Sequence, residues 1–243
     1  MVHAKKVRTM RASKSTESGF SLLELIIGMG ITLSIVGIAA TLLSSSFNVR
    51  SRENKRTEAI AAAQHALSNI SRDVANAGFG LRKNGIVNED SDASSIRIRA
   101  NLDAFSGTSG AATLSQADED VEYFLHKTDP DPDAVCGNLV RCDLMRYDVN
   151  LQQSRLMVGN VDDFEIYYFS QRVDYTLDPT GGIIVTTPGV AEVDDQSQTN
   201  YLVITILLNL DAVGTPGQPG YVPASQVQLA TDVAIRNRNL AFY

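Results

Sequence analysis

The stretch from Phe20 to Leu43, FSLLELIIGMGITLSIVGIAATLL, holds 24 residues and a single charge, Glu24. As a helix at ~1.5 Å per residue it reaches about 36 Å, enough to cross a bilayer core of ~30 Å. A cleaved secretory signal is the rival reading, but its apolar region runs only ~7–15 residues and ends in small residues at the cut. Here the run is longer, and Ser44, Ser45 and Ser46 lead into Phe47 without a clear junction. The stretch reads as a retained membrane-spanning helix. A carboxylate inside such a helix costs ~2.5–3.5 kcal/mol, so Glu24 must sit near an interface or find a partner.

The flanks are asymmetric. Residues 1–19 carry Lys5, Lys6, Arg8, Arg11 and Lys14 against Glu17, a net of +4, which leaves −11 for the rest of a chain whose net charge is −7. Basic residues ahead of a span keep that side cytoplasmic, which places the remainder across the membrane. The far flank weakens this asymmetry, because Arg50, Arg52, Lys55 and Arg56 follow the span and Glu53 and Glu58 offset them only in part. The acidic body argues against nucleic-acid binding, which needs clustered Lys and Arg. With 243 residues and 44% hydrophobic content, the chain can build one sizeable domain plus an appendage.

The helix is expected to continue beyond the membrane. Ile60, Ala63, Leu67, Ile70 and Val74 are spaced 3, 4, 3 and 4 apart, one apolar stripe on a helix. Glu58, His65, Asn69, Arg72 and Asp73 lie off that stripe, and no proline interrupts the chain before Pro130. Gly78, after Asn76 and Ala77, is a helix stop. A helix from Phe20 to Ala77 is on the order of 85 Å long, half of it in lipid and half with one apolar face turned to a sheet.

Past Gly78 the period falls to two. Ser95–Leu102, Val121–His126, Leu144–Val149 and Asp163–Ser170 alternate in whole or part, Tyr201–Leu210 is strongly apolar, and Val227–Ile235 is a further strand candidate. Turn-rich runs at Asn84–Ser94, Ser106–Gly110, Asp129–Asp133, Asp178–Gly182 and Gly214–Gly220 separate them, and Asp174–Thr199 reads as a long loop or an irregular hairpin. The fold class is α+β, a long helix on a mostly antiparallel sheet. The expected divisions are a leader over 1–19, a spanning helix over 20–44, an amphipathic half over 45–77 and a β-rich head over 78–243. The two cysteines, Cys136 and Cys142, have five residues between them. In an exported chain they read as a disulfide whose short loop is worth about 2 kcal/mol. The other reading, a zinc site, wants four ligands, and the nearest histidine is His126.

The junction Gly19-Phe20-Ser21-Leu22-Leu23-Glu24-Leu25, after a basic leader and opening an apolar helix, resembles the prepilin signature of type IV pilins and type II secretion pseudopilins. The resemblance implies that a membrane peptidase cuts after Gly19 and methylates the new N-terminus at Phe20. It also implies that Glu24, the fifth mature residue, pairs with the free amine of a neighbouring subunit. The pairing would offset a buried charge and set the axial register. Gly28, Gly30 and Gly37 form no G-x-x-x-G pattern, but would ease the loss of helicity that the corresponding stretch can undergo in assembled pili of the family, though this sequence has no proline there. Further along, Ile70–Phe79 (ISRDVANAGF) is similar to the end of the long helix in PilW-type minor pilins. Asp232–Asn239 (DVAIRNRN) and Val161–Tyr168 (VDDFEIYY) are similar to strands of that group, and the former also to J-type pseudopilins. The implied fold is the pilin fold, and the implied function is that of a minor pilin taking part in initiation or assembly of a type IV pilus. The alternatives are a minor pseudopilin of type II secretion or, more remotely, a single-pass anchored periplasmic receptor or enzyme. The implied partners are other pilins or pseudopilins, the prepilin peptidase and an inner-membrane assembly platform.

Catalytic and cofactor patterns are weak. His3, His65 and His126 fit no metal or triad spacing, and Gly78-Phe79-Gly80 lacks the following Lys-Ser/Thr of a phosphate loop. The acidic runs Asn88–Asp92, Asp118–Glu122 and Asp129–Asp133 lack an EF-hand pattern and read as solvated loops. The expectation is a structural protein with no enzyme activity, metal or cofactor.

Overall fold

The computed structural model describes residues 19–103, 114–127, 136, 142–179, 181–218 and 221–237. The leader up to residue 18, the loop Ser106–Gly110, the acidic run Asp129–Asp133 and the last two residues of Asp232–Asn239 lie outside these.

One helix, α1 (Leu22–Asn76, 55 residues), runs without a break. At ~1.5 Å per residue it is about 83 Å long. It stops where the sequence places a glycine: Gly78 adopts φ 76°, and a Cβ there would lie 2.6 Å from the Lys83 carbonyl oxygen. Gly85 has the same need, with φ 80° and room for no side chain against the Gly78 nitrogen.

The head is a six-stranded sheet in the order β1-β2-β3-β4-β7-β8, with every neighbouring pair antiparallel. The strands are β1 (Ser95–Arg99), β2 (Asp120–Lys127), β3 (Cys142–Asp148), β4 (Gln153–Phe169), β7 (Tyr201–Leu210) and β8 (Ser225–Ala234). Between β4 and β7 the chain makes a separate small hairpin, β5 (Tyr175–Leu177) with β6 (Ile183–Val185). The outer edge of β1 is closed by the segment that follows the helix, through Gly78 N–H to Arg99 O (2.9 Å), Arg99 N–H to Gly85 O (2.7 Å) and Val87 N–H to Arg97 O (3.0 Å). Such cover removes one of the two open sheet edges.

The chain is therefore α+β, a long apolar helix and a mostly antiparallel sheet. The apolar stripe behaves as its spacing predicts: Ala63, Leu67, Ile70 and Val74 are buried, and Ile60 is half-buried at the upper end. They pack on alternate residues of the sheet, among them Phe164, Ile166, Leu202, Ile204 and Ile206. β7 is apolar on both faces because both are covered. Its other face sets Tyr201 and Val203 with Phe169 and Val173 under the β5–β6 hairpin, where Tyr175, Ile183 and Val185 pack. The segment Asp174–Thr199, a loop or irregular hairpin by sequence, is this cover.

β4 is the largest departure from expectation, since it begins at Gln153 and not at Asp163. Its first half pairs with β3 and its second half with β7, with a register shift between Val161 and Asp163 and a positive φ of 59° at Asn160. Gln153 to Leu156 are exposed, so the early half has no apolar alternation to read. A second correction concerns Asp118–Glu122. Glu119 and Asp120 are buried, at 1% and 5% exposure, and Asp120 opens β2, so this acidic run is not a solvated loop.

Candidate functional site: the bare half of the helix and its clamp to the head

The first half of α1 touches little of its own chain. Every large apolar side chain from Phe20 to Leu43 is more than half exposed, fourteen in all. Fully burying each is worth ~1.5–3 kcal/mol, so roughly 20–40 kcal/mol of transfer free energy is left unrealised by the single chain in water. An apolar surrounding must supply it. The helix is long and apolar enough to cross a membrane. Several of its hydroxyls are satisfied from within: Ser34 Oγ donates to Gly30 O at 2.8 Å, Thr41 Oγ1 to Ile38 O at 2.8 Å and Ser46 Oγ to Leu42 O at 3.0 Å. At Gly28, Gly30 and Gly37 an added Cβ would meet nothing within 4 Å, so no contact inside the subunit demands a glycine there.

Glu24 is the acidic residue of the first turn, three positions after the N-cap residue Ser21. Leu25 N–H donates to Ser21 O at 3.1 Å, whereas the Ser21 side chain makes no capping bond. The free N–H groups at this end carry partial positive charge, which favours a carboxylate in the first turn. Ser21-x-x-Glu24 is also a capping-box pattern, a local signal for where the helix starts. Gly19 and Phe20 precede the helix and are exposed, with Phe20 85% exposed.

The second half of α1 is clamped to the head by a polar cluster that the periodicity did not reveal. Asp73 accepts from the Tyr123 hydroxyl at 2.8 Å and faces the Arg146 guanidinium at 3.4 Å. Arg146 also donates to the Tyr123 oxygen at 3.1 Å and to Asp118 at 2.6 Å. Tyr123 on β2 lies opposite Arg146 on β3, so register brings both to the helix side. Burial first, then the Asp73 carboxylate, push the Tyr123 hydroxyl well above its ordinary value, so it stays a donor. No sequence spacing joins positions 73, 123 and 146, which is why only the folded sheet shows them together.

No protein-family model, curated protein or solved structure matches this chain.

Elsewhere in the head, Asp120 binds Arg97 at 2.7 Å and Arg99 at 2.9 Å. Burial alone would raise the Asp120 carboxyl, but the hydrogen bonds and charges of the two arginines outweigh it and hold the carboxyl below its ordinary value. Glu119 accepts from the backbone N–H groups of Leu102, Ser115 and Gln116 at 2.9, 3.0 and 2.9 Å. These acids tie loops to strands. Cys136 and Cys142 are bonded, with Cα atoms 5.7 Å apart, at the start of β3. His65 sits on the helix within 3.2 Å of Asn69, and His126 lies near the end of β2. Among the described residues no group of three or more His, Cys, Asp or Glu is placed to hold a metal ion.

Proposed function

We propose that the protein is a type IV pilin-like subunit: a minor pilin that takes part in initiation or assembly of a pilus, or a pseudopilin of the corresponding secretion machine. It would be cut after Gly19, held by α1 in the inner membrane with the head periplasmic, and then drawn into a filament. The observation that carries this reading is the division of one unbroken helix. Its second half is buried against a sheet, while its first half is bare, apolar and marked by one carboxylate just after the Gly19–Phe20 junction. A bare apolar half suits two successive surroundings, lipid before assembly and the helices of other subunits afterwards. The implied work is noncovalent, and its partners are other pilins, the prepilin peptidase and the membrane assembly platform.

Glu24 gives the test. Glu24→Ala removes a charge that costs ~2.5–3.5 kcal/mol in an apolar helix, so the single subunit should insert at least as well. In a filament the same change leaves a neighbour's amine unmatched, and losing one partner of a buried pair costs ~3–5 kcal/mol. The expected result is an unchanged membrane level with reduced recovery in sheared filaments or in crosslinks to other pilins. Full recovery of the variant in assembled material would overturn the pairing role.

A further inference from the structure

We propose that Arg50, Arg52, Lys55 and Arg56 form a basic collar that binds the phosphate groups of anionic lipids on the bilayer face nearest the head. The collar is set by distance. Glu24 and Arg50 are 26 residues apart on one continuous helix, which is about 39 Å. A bilayer with its headgroups is ~40–45 Å thick, so a helix whose carboxylate sits in one headgroup layer brings Arg50 into the other. Phe47 and Val49, both exposed, carry the apolar surface up to the collar. Long basic side chains beyond it can bend back toward the phosphates while their stems cover apolar surface.

The charges are available. Arg50, Lys55 and Arg56 are exposed, and among the described residues none of the four enters an ion pair. Arg52 is half-buried and donates to Ser225 Oγ at 2.8 Å, so it faces the head end of the collar. At about 100° per residue, Arg52 and Arg56 lie on the side that packs on the sheet lower down, and Arg50 lies on nearly the opposite side. The four thus surround the helix. Glu53 and Glu58 reduce the collar to a net charge of +2. The inference rests only on the helix crossing a bilayer and is independent of cleavage at Gly19, so either can fail while the other stands.

The test uses the full chain in vesicles. The protein has no Trp, so Phe47→Trp creates a single reporter beside the collar at an exposed position. Quenching by acyl-brominated phosphatidylglycerol is compared with quenching by acyl-brominated phosphatidylcholine in mixed vesicles, giving the relative lipid affinity at the helix surface. A basic residue held at an anionic surface contributes about fivefold, so the anionic lipid should be preferred by on the order of fivefold or more. The preference should vanish when all four collar residues are changed to Gln. Equal quenching by the two lipids would overturn the proposal, and so would a preference that survives the fourfold change. Lys55 crosslinking to the acidic head of a second copy, with the lipid preference lost as protein density rises, would assign the collar to a protein contact instead. No quenching by either lipid would overturn the span itself.

Discussion

Replacing Arg146 with Met removes the guanidinium that joins β3 to α1. Arg146 is 13% exposed and Asp73 14% exposed, so both charges are largely withdrawn from water. Breaking a fully buried pair by removing one partner costs ~3–5 kcal/mol, and a hydrogen bond to a charged group is worth ~1.5–3 kcal/mol. Two details place this case toward the lower end. The Arg146–Asp73 contact is long at 3.4 Å, and Tyr123 still donates to Asp73 after the change. The Arg146–Asp118 contact adds little, because Asp118 is 62% exposed and surface pairs are worth ~0–1 kcal/mol. The expected loss is about 2–3 kcal/mol. With a urea slope of about 2 kcal/mol/M, the midpoint should fall by about 1–1.5 M. In the Asp73→Asn background the same change should cost at least ~1 kcal/mol less, since position 73 then holds no charge for the missing guanidinium to offset. The assay is urea unfolding of the detergent-solubilised protein, followed by near-ultraviolet circular dichroism of the tyrosines, for the two single variants and the double. Strict additivity, or a midpoint shift below ~0.3 M for Arg146→Met, would refute the clamp.

Three further outcomes follow from the same packing. Ile70→Ala, at a position with 0% exposure in the middle of the helix stripe, should cost about 3–4 kcal/mol in the same unfolding assay, whereas Asn69→Ala beside it should cost under ~1 kcal/mol. Thiol labelling under denaturing, nonreducing conditions should find no free cysteine, and Cys136→Ser with Cys142→Ser should lower stability by about 2 kcal/mol while leaving the sheet folded. The Asp120 carboxyl sits below its ordinary value when folded, so its contribution is complete above the unfolded value of about 4 and is lost as pH falls through the folded one. Asp120→Asn should therefore flatten part of the acid loss of stability below about pH 4. The comparison is with the unsubstituted protein, because Glu122 and Asp163, pushed up chiefly by burial, act in the opposite direction.

The long helix and its buried stripe were legible because both depend on local periodicity. A 3.6-residue repeat shows which side packs, and Gly78 shows where the helix must end. Most strands were legible for the same reason, with ends displaced by a few residues. The early half of β4 was not, because Gln153 to Leu156 are exposed and a register shift interrupts the pattern. Asp73, Tyr123 and Arg146 were invisible as a group, since their meeting depends on strand register and on how the helix lies across the sheet. Asp120 was misread because a run of acids looks solvated until its arginine partners, 23 and 21 residues earlier, are brought beside it. The Gly19–Phe20–Glu24 junction is a feature of the sequence alone, and the fold adds only that the helix behind it is bare.

The reading as a processed filament subunit is tested most directly by the intact mass and N-terminal sequence of the protein extracted from membranes of cells with an active prepilin peptidase. The predicted result is a chain that begins at Phe20, carries one N-methyl group and has lost all of residues 1–19. A chain that still carries Met1 to Gly19, or one cut on the far side of the apolar run near Ser46, would contradict it.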